Sequence, residues 1–238
     1  MLLNVLYGNG SFGEKLLELL IAVIALLPAL TLHEWAHGYS AYKLGDHTAK
    51  ADGRLSLNPI DHLDPIGTLM LLFVGFGWAK PVPVMTRNFK KPRRDFARTS
   101  LAGPLMNFFV GFLSALLYVL AIYICAANEF TGMTAYAIQM VFAYSALFNF
   151  GLGLFNLIPL PPLDGSNVVM CLLPNRLAAQ YSRVRYYSRY IFLGLLVLQH
   201  VPVLDIIPEI IFWPISVGRD ALFNLACDLA DLIFGSIF

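Results

Sequence analysis

Residues 21–42 read IAVIALLPALTLHEWAHGYSAY, an apolar run that carries His33, Glu34 and His37 in its second half. A helix that crosses the hydrocarbon core of a bilayer needs about 20 mostly apolar residues. The apolar character reaches back to Leu16, so Leu16–Tyr42 is the first predicted span, and Lys43, Gly45 and Asp46 mark its exit. Pro28, five residues before His33, is placed to kink the helix and free backbone groups.

The rest of the chain agrees with that opening. Of its 238 residues 58% are hydrophobic and 13% charged, whereas soluble domains average about 45–50% apolar and about 25% charged. The expected fold is an all-α integral membrane protein, a polytopic bundle of about 4–6 transmembrane helices. Further spans are predicted at Phe96–Ala126 and Thr134–Phe155, joined by a short loop that makes them antiparallel neighbours. Between the first and second spans, Ile66–Trp78 is apolar but short and Gly-rich. It reads as a re-entrant segment or a β-hairpin leading into Ala79–Val84. Irregular backbone at membrane depth is tolerated where protein or a water-filled cavity covers it. The apolar stretch Tyr190–Val217 is interrupted by Pro202, Pro208 and Pro214, and reads as one kinked span or as a span plus a surface helix. The tail from Asp220 to Phe238 is amphipathic or marginally spanning. The expected organisation is a single domain over 1–238, with a core over roughly 16–170 and C-terminal helices over roughly 190–238. Neither a repeat nor a linker is evident.

Other classes are excluded more briefly. A net charge of +1, with no basic tract interleaved with aromatics, gives nucleic acid nothing to bind. Cys125, Cys171 and Cys227 are odd in number and far apart, each in or beside an apolar stretch, so they read as small buried hydrophobes. The N-terminal run has no positive charge before Lys15 and no small-x-small cleavage site, so it is not expected to be a signal peptide. Basic residues cluster between Lys43 and Arg98 and again at Arg176–Arg189, with none in the loop around Asn128. Two spans separate the basic segments. Both therefore lie on one side, and the positive-inside rule makes it cytoplasmic.

The polar residues of the first span carry the chemistry. Residues at i and i+4 share a helix face, so His33 and His37 can aim their imidazoles at one ion. Glu34, one residue on, can act as a general base for a water that the ion activates. HExxH alone also occurs on solvated helices. Inside a membrane segment, however, ionisable groups are costly and need a partner. Catalytic zinc takes three protein ligands and keeps a fourth position open. Asp164, in Asn156–Gly165 (NLIPLPPLDG), is the candidate third ligand; it reads equally as a cap for a helix starting near Ser166. Asn107 and Asn156 could donate to a developing oxyanion, or could cap a helix or tie two spans together. His62, between Asp61 and Asp64, is expected in an interfacial loop and is left off the ligand set, as are His47 and His200.

HEWAH in a first span followed by a late N-x-x-P-x-x-P-L-D-G run resembles the site-2 protease family of intramembrane metalloproteases. The resemblance implies zinc bound by His33, His37 and Asp164, with Glu34 as catalytic base. Leu101–Asn107 (LAGPLMN) resembles the family's Gly-Pro-x-x-Asn helix start. Gly45–Thr68 resembles the compact bacterial branch, and the chain leaves no room for the PDZ domain of other members. The implied activity is a zinc endopeptidase that cuts transmembrane segments of partner proteins within the lipid bilayer, with one zinc ion as cofactor. The implied location is the cell membrane, multi-pass, with the active site toward the cytoplasmic side. The alternatives are a catalytically silent relative that binds membrane proteins, and a metal transporter. Transporters often show repeated halves, and none is visible here.

Overall fold

The computed structural model describes residues 11–74, 77–198 and 206–237. It is all-α: α1 (Phe12–Lys43), α2 (Thr48–Ala51), α3 (Pro59–His62), α4 (Pro65–Val74), α5 (Pro92–Ala127), α6 (Met133–Asn156), α7 (Asp164–Leu172), α8 (Asn175–Leu198) and α9 (Ile206–Phe234). A 3₁₀ turn at Thr86–Asn88 precedes α5. Four of these helices are long and apolar enough to cross a membrane: α1, α5, α6 and the Glu209–Phe234 part of α9. The protein is a polytopic helical membrane protein.

α1 begins with a capping box. Ser11 Oγ accepts the Glu14 N–H, and Glu14 Oε2 accepts the Ser11 N–H, which satisfies donors that a helix start leaves free. Pro28 lies inside the helix, and Thr31 Oγ1 turns back to the Leu27 carbonyl at 2.7 Å. The buried face of α1 is lined by small residues, Ala22, Ala25, Ala29 and Ala36, with His33 and His37 among them.

α1, α5 and α6 pack on one another, and α9 packs on α5 and α6. In lipid the helices gain little from hydrophobic burial, and small residues let backbones approach. Gly111 of α5 faces Phe150 of α6, where an added Cβ would stand 2.8 Å from the ring. Phe150 is fully buried with Ala115, Ala146 and Ala226, which joins α5, α6 and α9 in one core.

The segment between α1 and α5 has no strand among the described residues. Its apolar part is the helix α4, and the chain returns as an extended run with a lone antiparallel bridge, Leu63 to Ala79. The Lys80 N–H bonds the His62 carbonyl at 2.8 Å. Gly67 is needed where the chain passes back over α4, because a Cβ there would meet the Trp78 carbonyl at 2.2 Å.

Asp46 pins the far end of this run. Fully buried, it accepts hydrogen bonds from Thr48 N and Oγ1, Met85 N and Asn88 Nδ2. Burial works against its charge, yet these four donors hold its carboxyl below the usual carboxylate range.

The C-terminal third departs from the sequence expectation. Val217 and the tail after Asp220 are parts of one helix, α9, with Pro214 in its interior and Pro208 in its first turn. A first-turn proline costs a helix no hydrogen bond. The arginines of 176–189 belong to α8, which runs on to Leu198. Pro202 and His200 lie outside the described residues.

Candidate metal centre

His33 and His37 lie one turn apart on the buried face of α1, 7% and 9% exposed. Their Nε2 atoms are 3.0 Å apart, with the rings nearly perpendicular. Asp164 arrives from 127 residues further along the chain and places Oδ2 3.2 Å from His33 Nε2 and 3.1 Å from His37 Nε2. The three ligand atoms form one group within 4.8 Å.

Asp164 is the first residue of α7, whose N-cap is Leu163. Its carboxylate is spent on the imidazoles, not on capping. Gly165 beside it has an ordinary φ; it is required by packing, since a Cβ would stand 2.2 Å from the Leu157 carbonyl oxygen. At the other end of α7, Arg93 of α5 bonds the Met170 and Leu173 carbonyls and Asn175 Oδ1. A cation on free carbonyls complements the C-terminus of a helix.

The partners of the outer ring nitrogens define what the cluster offers. His37 Nδ1 is 2.7 Å from the Thr99 carbonyl oxygen. A carbonyl only accepts, so Nδ1 carries a proton, and in the neutral ring Nε2 is left with a lone pair. His33 Nδ1 is 2.6 Å from Asn107 Oδ1, and the Asn107 Nδ2 end is committed to donating to the Ala29 carbonyl. His33 Nε2 therefore also presents a lone pair. With both rings neutral, two imine nitrogens and a carboxylate oxygen converge on one point, a donor set that a cation satisfies. Two nitrogens and one carboxylate suit a three-ligand zinc site with an open position.

Gly103 makes the approach of α5 possible, because a Cβ there would lie 2.4 Å from His37 Nε2 and 2.7 Å from His33 Cε1. The Gly103–Asn107 run resembles a helix start in sequence, yet it lies inside α5, whose first residue is Pro92. α5 continues N-terminally because Pro92 and Asp95 begin it well: Asp95 Oδ2 accepts the Lys91 N–H.

Glu34 stands outside the ligand group. Its Oε2 accepts the Val82 N–H at 3.0 Å, which ties it to the extended run after α4. Asn107 does not offer a free amide to an oxyanion; it is fully buried and bonded to His33, Ala29 and Asn149. Asn156 Nδ2 donates to the Leu152 carbonyl one turn back in α6. His62 is not in a loop: it ends α3, buried, with Nε2 on the Ser56 carbonyl. His47 is exposed and packs edge-on to Tyr42. Sequence reasoning missed Asn149, Thr99 and Val82. Asn149 had a signal, a polar amide in the middle of an apolar span; Thr99 and Val82 act through main-chain atoms, whose role no side chain announces.

The sequence profile of peptidase family M50 matches residues 120–199, which include Asp164. A Bacillus subtilis protein named "Putative zinc metalloprotease YwhC" is 41% identical over 85% of this chain and 89% of its own length. A Mycobacterium tuberculosis protein named "Putative zinc metalloprotease Rip2" is 30% identical over 61% of this chain and 54% of its own. A zinc metalloprotease of Methanocaldococcus jannaschii is 26% identical over 66% of this chain and 35% of its own. No solved structure matches the chain. With the Bacillus relative matched along most of both chains and the family profile over the Asp164 region, the chain belongs to peptidase family M50, the site-2 protease family that its two motifs resemble.

Proposed function

We propose that the protein is an intramembrane zinc endopeptidase, a single domain that hydrolyses peptide bonds in transmembrane segments of substrate proteins. The observation that carries this reading is the convergence of His33 Nε2, His37 Nε2 and Asp164 Oδ2 within a membrane helix bundle. These three residues hold one zinc. Zinc, when bound, supplies Lewis acidity, making water acidic enough to give hydroxide near neutral pH and polarising the scissile carbonyl. Glu34 takes the proton of the attacking water on its carboxylate and hands it to the departing amide nitrogen. Asn107 and the Thr99 carbonyl hold the two imidazoles in the tautomer that leaves Nε2 free.

The run Ala79–Met85 constrains how a substrate binds. The Lys80 and Val82 N–H groups are already bonded, and Pro81 and Pro83 have none. The Lys80 and Pro81 carbonyls accept from Arg54, so an extended substrate laid along this run donates its own N–H groups to the carbonyls that remain. The positive-inside rule, applied to the basic residues that flank the spans, supports a centre toward the cytoplasmic side of the cell membrane.

The test is a transmembrane peptide in detergent or liposomes, with products located by mass spectrometry and zinc followed across the liposome wall. A cut inside the apolar segment supports the protease. An uncut peptide contradicts it, and zinc flux instead supports the transporter.

A further inference from the structure

The interface of α1, α5 and α6 holds a directed line of hydrogen bonds that ends at the metal centre. It starts at the Ser145 carbonyl of α6, which accepts from Asn149 Nδ2 at 2.8 Å. Asn149 Oδ1 accepts from Asn107 Nδ2 at 2.8 Å, and the same nitrogen donates to the Ala29 carbonyl at 3.2 Å. Asn107 Oδ1 then accepts from His33 Nδ1. Both amides are fully buried.

The direction of the line matters. Shape alone does not tell an amide's oxygen from its nitrogen; its partners do. The Ser145 and Ala29 carbonyls accept only, so Asn149 must turn its oxygen to Asn107, and Asn107 must turn its oxygen to His33. The end result is a proton on His33 Nδ1 and, in the neutral ring, a lone pair on Nε2. Without Asn149, Asn107 is held in this sense by one bond, the longer of the two.

We propose that Asn149 is a positioning residue for the metal centre. From α6, touching no ligand, it fixes the Asn107 amide and through it the tautomer and ring orientation of His33. The inference rests on reading His33, His37 and Asp164 as zinc ligands. His37 has no such dependence, because its outer nitrogen bonds main chain. The two histidines of one motif are thus held by different means, His37 by main chain of α5 and His33 by a side-chain relay that reaches α6.

The experiment uses the full chain in detergent, with zinc as the probe. The zinc dissociation constant is read by competition with a chromophoric chelator, and the melting temperature of the zinc-free protein is read in parallel. Asn149→Leu removes the acceptor; Asn149→Ala does the same with less bulk. Asn149→Asp keeps an oxygen toward Asn107 and, buried and therefore protonated, an O–H toward Ser145. The expected result is zinc binding weakened about tenfold or more in the Leu and Ala variants, and near wild type in the Asp variant. A residue that only ties helices together lowers the melting temperature and leaves the dissociation constant of the folded protein unchanged. Wild-type zinc affinity in folded Leu or Ala variants overturns the inference, and so does an Asp variant that loses as much as Leu. A wild-type chain that takes up no zinc overturns the ligand assignment itself, a separate outcome.

Discussion

Gly103 of α5 and His37 of α1 meet so closely that a single added carbon at Gly103 would lie 2.4 Å from the histidine's Nε2. The same carbon would lie 2.7 Å from His33 Cε1. Neither imidazole can step aside, since each is anchored at Nδ1, one by Thr99 and one by Asn107. Gly103→Ala is therefore expected to cost zinc affinity and activity together without removing a ligand. The expected loss is about tenfold or more, in line with changes around metal ligands. Metal content by atomic emission after dialysis checks it; full zinc occupancy in the variant contradicts the packing argument.

α7 carries Asp164 at its first residue and is clamped at its last turn by Arg93. The guanidinium is exposed, so its bonds are partly screened and are worth about 1 kcal/mol together. Arg93→Ala is expected to lower the melting temperature by a few degrees, and to weaken zinc binding because the helix that presents Asp164 loosens. Arg93→Lys should not restore either quantity, since an ammonium cannot span three acceptors as the planar fork does. Equal stability of Arg93→Ala and wild type contradicts the clamp.

The helical class, the first three spans and the residues that converge were legible in the chain, because membrane burial makes each ionisable residue conspicuous. His33 and His37 announce a shared face by their spacing, and Asp164 stands out in an apolar, proline-rich stretch. What was not legible depends on contacts between distant segments. The extended run that reaches Glu34 is fixed by main-chain atoms of Val82 and Met85, which leave no mark in the sequence. The one-helix course of α9 past Pro214 was hidden because a proline reads as a break, although packing against α5 and α6 keeps the helix going. Asn107 was open between oxyanion donor and structural tie; its partners make it the support of a histidine.

Asp46 gives a pH dependence with a defined sign. Its folded carboxyl is held below the unfolded value of about 3.9, so it binds its proton less readily when folded. Its stabilisation is present above the unfolded value and is lost as pH falls through the lowered folded value. Asp46→Asn should therefore melt lower than wild type at neutral pH, with the gap closing on acidification below about pH 4. Melting curves of both proteins across that range check it, and a gap that widens in acid contradicts the assignment.

In the proposed mechanism Glu34 transfers the proton beside a zinc that His33, His37 and Asp164 hold without it. Glu34→Gln separates those roles, since the amide keeps the size of the side chain and cannot act as a base. The most direct measurement is zinc stoichiometry and transmembrane-peptide cleavage on the same samples of wild type and Glu34→Gln. One zinc per chain is expected in both, with cleavage in wild type and cleavage lowered by at least about a hundredfold in the variant. Undiminished cleavage by Glu34→Gln, or loss of its zinc, would contradict it.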